Sequence, residues 1–217
     1  EKLALQKGES DMKLTLLQAQ VEPHFLFNTL ASARSLVTSD PQRAAQTIDA
    51  LAGYLRATLP KLRAETGVAQ STLDEQFTIC AGYLELMKVR LADRLQVEIR
   101  LPAELREAAF PPLTLISLIE NAIKHGAEPK PGATRVTLTA RAFDDAGRKR
   151  LEVLVEDDGA GLKLGMGGGT GLANIRAQLL TRFGSEASLD LTERASGGVL
   201  ARIVVPLEVP PPERQRA

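Results

Sequence analysis

Three short segments and one histidine hold the residue types able to do chemistry. The first segment is Glu120-Asn121-Ala122-Ile123-Lys124-His125-Gly126, at the end of an apolar run. Lys124 and His125 read as a solvated helix C-terminus, with Gly126 as its left-handed stop. Glu120 and Asn121 interrupt the apolar run instead. A carboxamide oxygen such as that of Asn121 suits Mg²⁺, a hard cation that keeps several waters and binds together with phosphates. The second segment is Val155-Glu156-Asp157-Asp158-Gly159-Ala160-Gly161, a strand running into Asp-x-Gly-x-Gly. Such clusters also make ordinary turns. As a site, Gly159 and Gly161 let backbone approach a flat ligand, while a buried Asp157 accepts a hydrogen bond from an exocyclic amine. The third runs from Gly165 to Ile175, with five glycines in seven residues just before an amphipathic helix (Leu172, Ile175, Leu179, Leu180). Backbone amides of a flexible loop and a helix N-terminus cradle phosphates. No Gly-Lys-Ser/Thr closes the loop, so it is not a Walker loop, and its spacing is not the dinucleotide fingerprint.

The histidine is His24, within Val21-Glu22-Pro23-His24-Phe25-Leu26-Phe27-Asn28. Leu14, Leu17 and Val21 lead in at helical spacing, and Leu26 and Leu30 follow. Pro23 cannot donate to the carbonyl of Ala19, so a continuous helix kinks there. An unbroken heptad from Leu14, Leu17 and Val21 would put His24 and Asn28 on a buried seam; a kink at Pro23 can hand that seam to Phe25 and Leu26 and turn the imidazole outward. Asn28, four residues on, shares its face. The Asn28 side-chain oxygen is placed to accept from one ring nitrogen, fixing the tautomer that leaves the other nitrogen's lone pair free. A purely packing or capping role for Asn28 remains the other reading.

These residues need elements to hold them. The 217 residues suffice for one large domain or two small ones. With 27 basic and 27 acidic residues, charge favours neither nucleic acid nor an anionic membrane. Cys80 is the sole cysteine, which excludes an intramolecular disulfide and a cysteine-rich zinc site; it falls on an apolar helical face and reads as core. No apolar run approaches the ~20 residues of a membrane span. The start at Glu1, without methionine, suggests an excised fragment, so anything upstream, any membrane helices among it, lies outside this sequence.

The first half reads as helices: a leucine-spaced lead-in from Leu3 to Leu17, a helix from the Pro23 region to about Ser39, and a second after Asp40-Pro41, a good N-cap and first-turn pair. Ile48, Leu51, Leu55, Leu59 and Leu62 form one stripe of the second helix, which Gly67 stops. A hairpin with two apolar stripes cannot bury both alone, so it pairs with a copy as a four-helix dimer. A third helix starts at Ser71 or Thr72, with Glu75 completing a capping box and Leu73, Phe77, Cys80, Leu84 and Met87 on one face. Thereafter strands alternate with helices: Leu95–Ile99, a helix from Leu113 to Lys124, strands Val136–Ala140 and Leu151–Val155 around an Asp144–Gly147 turn, a helix to Phe183, and strands near Leu189–Thr192 and Val199–Val205 joined at Gly197-Gly198. Antiparallel hairpins with segregated helices predict an α+β sandwich, its sheet covered on one face, and a frayed tail from Pro206.

An Asn-bearing helix, an Asp-x-Gly-x-Gly turn and a glycine-rich loop before a helix, in this order within about fifty-five residues, resemble the ATP-binding domain shared by gyrase, Hsp90, MutL and histidine kinases (the Bergerat fold). Within that group the chain resembles the LytS-type sensor histidine kinases. Gln20 to Leu30 is similar to their phosphoacceptor motif, Tyr83-Leu84-Glu85 with Arg90 to Leu95 to their linker, and Pro111-Pro112 through Gly126 to their N box; the likeness covers residues 14 to 206. It implies a dimeric histidine-bearing helical hairpin over residues 1–68, an ATP-binding α/β sandwich over 69–206 with helix 71–91 as linker, and a tail over 207–217. It further implies that His24 takes the γ-phosphate of ATP and passes it to a response-regulator aspartate. By the same resemblance Asn121 is the Mg²⁺ ligand, and Lys124 and His125 approach the phosphates. Asp157 reads adenine in a pocket shaped by Gly159 and Gly161. Gly169, Thr170, Gly171, Leu172 and Asn174 belong to the loop and helix start around the phosphates. His24, Asn28 and Glu120 make up the catalytic set, with Glu22 the other candidate base. The implied partners are a second copy of the chain and a receiver domain, with no nucleic acid, and the implied location is the cytoplasmic part of an inner-membrane sensor. Two departures stand out: Gln178 replaces a frequent arginine, and Phe25 replaces the acidic residue that follows the phosphoacceptor in many histidine kinases. A conformational ATPase of the gyrase or Hsp90 kind is one alternative, but Ser117 stands where those relatives carry a water-activating glutamate. A nucleotide-binding dimerisation scaffold is the other.

Overall fold

Asp40 punctuates the first two helices. In the computed structural model, which describes residues 23–64, 71–161 and 170–209, helix α1 spans Pro23–Ser39 and helix α2 Pro41–Ala64. Asp40 Oδ1 accepts from the N–H of Arg43 at 3.0 Å, the expected N-cap, and Pro41 follows in the first turn, where its missing N–H costs nothing. Small side chains close the space between the helices: Thr29, Ala33, Ala44 and Thr47 are buried with Leu51 and Tyr54. The expected stripe is split. Leu51 is buried, Leu55 is half-buried, and Ile48 is 49% exposed, together with Leu30 at 49% and Val37 at 54%. The lead-in helix, the kink before Pro23 and the stop at Gly67 lie outside the described residues.

The chain divides into two compact units after Ala69. The second unit opens with β1 (Ser71–Thr72), helix α3 (Leu73–Leu91) and β2 (Leu95–Arg100). Thr72 and Glu75 form the anticipated capping box, Glu75 N–H to Thr72 Oγ1 at 3.2 Å and Thr72 N–H to Glu75 Oε2 at 3.2 Å. A cap of this kind is worth about 1 kcal/mol. Leu73, Phe77, Cys80, Leu84 and Met87 are all buried, as their spacing demands. Burial pushes the Cys80 thiol far up, with the nearby Glu120 charge adding to the rise, so it is an inert core group. A two-residue strand β3 (Ala109–Phe110) pairs with β1 and ties down the start of α3.

Helix α4 (Thr114–Asn121), β4 (Thr134–Asp145), β5 (Arg148–Asp157), helix α5 (Thr170–Phe183), β6 (Ser188–Glu193) and β7 (Val199–Pro206) complete the unit. The five-stranded sheet has the order β2-β4-β5-β7-β6. Every pair is antiparallel except β2 with β4, which is parallel with Leu95 opposite Thr134. This corrects the expectation of antiparallel hairpins alone: β2 returns to the sheet through α4, a crossover that a parallel partner requires. One sheet face carries Val136, Leu138, Leu151, Val153, Val155, Ala201 and Ile203, all buried. Leu84 and Met87 of α3, Leu115 and Ile119 of α4, and Ile175 and Leu179 of α5 are buried as well, giving the α+β sandwich covered on one face. On the other face Glu152 is only 1% exposed, because Arg141 and Arg202 from the flanking strands both bond its carboxylate. The tail begins later than expected. Leu207 N–H donates to the Lys149 carbonyl at 3.0 Å, and the Glu208 carbonyl accepts from Ala109 N–H at 2.7 Å, extending β7 and joining the short ribbon.

Candidate functional site

Leu118, Asn121, Ala122, His125 and Gly126 follow helical spacing and lie on one face of α4 and its continuation. That continuation is a π-helical turn, Ala122–Ala127, with Glu128 N–H bonding the Ile123 carbonyl at 2.9 Å. Such turns insert a residue and occur often at functional sites. Gly126 is therefore not the left-handed stop expected. Its φ is not positive, and its lack of a side chain answers a different need. A Cβ there would lie 2.6 Å from Asp157 Oδ1, and a Cβ on Gly159 would overlap Gly126 Cα. The Gly126 carbonyl accepts from Ala160 N–H at 3.1 Å. Backbone thus packs on backbone where the Asn-bearing helix meets the Asp-x-Gly-x-Gly turn.

These residues line a cavity of about 250 Å³ between the inner sheet face, the π turn and the start of α5. Val155, Leu191, Val199 and Ala201 give it an apolar floor, and Leu118, Ala122 and Leu172 apolar walls. Asp157 is the carboxylate among its lining residues. It is 3% exposed, and Oδ1 accepts from Gly159 N–H at 2.8 Å. Burial pushes the carboxyl above its ordinary value; the N–H groups of Gly159 and Val199 pull it back, Asp158 pushes it further up, and Arg194 pulls it down. Each carboxylate oxygen has two acceptor sites, so the two backbone bonds leave capacity for a ligand N–H. An apolar cavity with a carboxylate among its lining residues suits a heteroaromatic base bearing an amino group.

Two family models divide the chain. Residues 12–95 match the histidine kinase model, and residues 112–209 match the model of histidine kinase-, DNA gyrase B- and HSP90-like ATPases. The chain belongs to the histidine kinase family. The sensor histidine kinase BtsS of Escherichia coli (strain K12) is 32% identical over 182 residues, 82% of this chain and 30% of that protein. The sensor protein LytS of Bacillus subtilis (strain 168) is 28% identical over 211 residues, 91% of this chain and 34% of that protein. This chain therefore spans about a third of the length of these curated relatives. A solved histidine kinase domain from the Erythrobacter litoralis EL346 blue-light activated kinase aligns over 93% of this chain and 94% of that one, at 20% identity and a TM-score of 0.45.

Of the site residues expected from the sequence, Asn121, His125, Asp157, Gly161, Gly171 and Leu172 line the cavity together. Gly159 lies against Gly126 and bonds Asp157. Gly161, at φ +80°, leaves room for Glu193, whose carboxylate a Cβ would meet. Lys124 and Asn174 are exposed and Glu120 is half-buried; none of the three is among the lining residues. Thr170 opens α5, while Gly169 lies outside the described residues, as do the side chains of Thr170, His24 and Asn28. His24 and Asn28 both fall on α1, in the other unit. Gln178, the departure from the family pattern, accepts from Thr114 Oγ1 at 3.2 Å and links α5 to α4. Sequence reasoning missed the floor residues Leu191, Val199 and Ala201. Their signal was the inward alternation of the two closing strands.

Proposed function

We propose that this chain is the core of a two-component sensor kinase that binds MgATP in the cavity and autophosphorylates on His24. The observation that carries the reading is Asp157, a nearly buried carboxylate with spare acceptor capacity among the lining residues of an apolar cavity. A purine lies against Val155, Val199 and Ala201, its exocyclic amine donating to Asp157. The Asn121 carboxamide, on the same cavity, would hold Mg²⁺, which supplies charge neutralisation at the phosphates. Lys124 adds positive charge, His125 on the cavity offers a ring N–H, and the start of α5 at Gly171 supplies backbone N–H groups. His24 attacks the γ-phosphorus as a neutral imidazole: a P–N bond forms, the bond to the β,γ-bridging oxygen breaks, and ADP leaves. Asn28 orients the ring, and Glu120 or Glu22 is the group to test as base. The phosphoryl then passes to a receiver-domain aspartate.

Dimerisation belongs to the same proposal. Leu30, Val37 and Ile48 on one hairpin are the apolar surface that a second copy would cover. No helix among the described residues is long and apolar enough to cross a membrane. We place the sensor and any membrane segment in the remaining two-thirds of a protein built like the relatives, with this portion on the cytoplasmic side.

Ser117 argues against a hydrolytic machine. Its hydroxyl donates to the Leu113 carbonyl at 3.3 Å and offers no base for water. Incubation with γ-labelled ATP separates the readings. A kinase gives acid-labile, alkali-stable label on protein, a conformational ATPase gives free phosphate, and a scaffold gives neither.

A further inference from the structure

The β5–β7 ladder ends at Glu156 opposite Leu200, one residue short of Asp157. Beyond that pair, side chains continue the pairing. Val199 N–H bonds the Asp157 carboxylate, and the Arg194 guanidinium donates from Nη1 to the Asp157 main-chain carbonyl at 3.1 Å. Arg194 sits in the turn joining β6 to β7, and that turn is itself closed: Arg194 N–H bonds the Gly198 carbonyl at 3.0 Å, and Gly197 N–H bonds the Arg194 carbonyl at 2.9 Å. Gly198, at φ +83°, packs so closely on the Asp157 carbonyl that any Cβ would overlap it. The turn therefore holds Asp157 at its main-chain carbonyl, while Gly126 packs on its carboxylate.

We propose that Arg194 is a positioning residue for base recognition, fixing the Asp157 backbone through its carbonyl so that the carboxylate faces the cavity, and supplying the positive charge that keeps it an acceptor. This rests on the reading of the cavity as an adenine site. Among the described residues, no lysine or arginine lines the cavity. Asp158, the next residue, is acidic; its carboxylate holds Lys130 Nζ at 3.3 Å and the main-chain N–H of Arg135, whose guanidinium turns to Gln96 instead. Glu193 lies against Gly161. The π turn brings His125 to the cavity, and α5 brings only Gly171 and Leu172. Burial favours the protonated acid, and Arg194 opposes it. A protonated Asp157 has less acceptor strength for an amine.

The test uses Arg194→Met, which keeps the stem but removes donor and charge, and Arg194→Lys, which keeps the charge. Each is titrated calorimetrically with MgATP and with the purine riboside triphosphate that lacks the 6-amino group. Arg194→Met is expected to weaken ATP about tenfold, the scale of one lost charge-assisted contact. It should leave the des-amino nucleotide within twofold, and Arg194→Lys should recover most of the loss. In the nucleotide-free protein, the carboxyl-carbon NMR signal of Asp157 should titrate at higher pH in Arg194→Met than in the parent. Equal losses for both nucleotides, or an unmoved Asp157 titration with parent-like ATP affinity, would overturn the positioning role. A parent that binds neither nucleotide would instead remove the adenine reading, while the Asp157 titration would still decide whether Arg194 governs that carboxylate.

Discussion

Adding one methyl group at Gly126 should separate the cavity from the fold that holds it. A Cβ at Gly126 would stand 2.6 Å from Asp157 Oδ1 and 2.9 Å from its Cγ, where ordinary contact begins at 3.4 Å. About 0.8 Å must therefore be found, the difference between 3.4 and 2.6 Å. Rotation of the carboxylate would break its bond from Gly159 N–H. If it rotates, a hydrogen bond to a charged group worth about 1.5–3 kcal/mol is lost; if it stays, overpacking costs about 1–3 kcal/mol instead. Against this, replacing glycine by alanine within a helix returns about 1 kcal/mol. Gly126→Ala should thus lose no more than about 2 kcal/mol of stability, while the displaced carboxylate weakens MgATP by roughly one to two decades. Calorimetric titration beside thermal unfolding measures both. A variant with a parent-like melting curve and parent-like ATP affinity would refute the close packing of Gly126 on a ligand-reading Asp157.

Three further outcomes follow. Asp157→Asn should abolish ATP binding without loss of stability at neutral pH. The folded-state carboxyl titrates above its unfolded value, so its stabilising contribution is present below the unfolded value and is lost as pH rises through the folded one; the amide escapes that loss, and urea melts across the acid range should be flatter. For Glu152, burial pulls the carboxyl up, but the hydrogen bonds and charges of Arg141 and Arg202 outweigh it and the net shift is downward. Its contribution is therefore present above the ordinary carboxylate range and lost as pH falls through the lowered value, and Glu152→Gln should cost about 1–2 kcal/mol at neutral pH, discounted because both arginines reach solvent. Ile48→Glu with Leu30→Glu should convert the proposed dimer to the 23.4 kDa monomer in sedimentation equilibrium; a parent already monomeric at micromolar concentration would end the four-helix reading.

Much of this fold is legible because its signals are local. The capping box at Thr72 and Glu75, the Asp40-Pro41 boundary and the positive-φ turn at Gly197 and Gly198 each depend on a few neighbouring residues. Partner choice is not local. The alternation of Leu95–Ile99 announces a strand but not the parallel pairing with β4, which depends on where α4 delivers the chain. Glu152 alternates as though it faced solvent, yet two arginines distant in sequence cover it. At the site, residue types point to Asn121 and Asp157, but Gly126 reads as a helix stop because a π turn has no periodicity of its own in so short a segment. The apolar floor from β6 and β7 carried no chemistry to notice, and Arg194 acts through a backbone carbonyl, which no side-chain motif encodes.

Phosphosite mapping after a single turnover decides whether the Asp157 cavity supplies the phosphoryl group proposed for His24. The parent protein is incubated with MgATP, kept at alkaline pH and fragmented, and the peptide containing residues 23–39 is weighed and sequenced by mass spectrometry. Phosphate on His24 in the parent, none in Asp157→Asn, and none in a His24→Ala protein that still binds ATP is the expected result. Phosphate on another residue, or an undiminished protein label in His24→Ala, would contradict it.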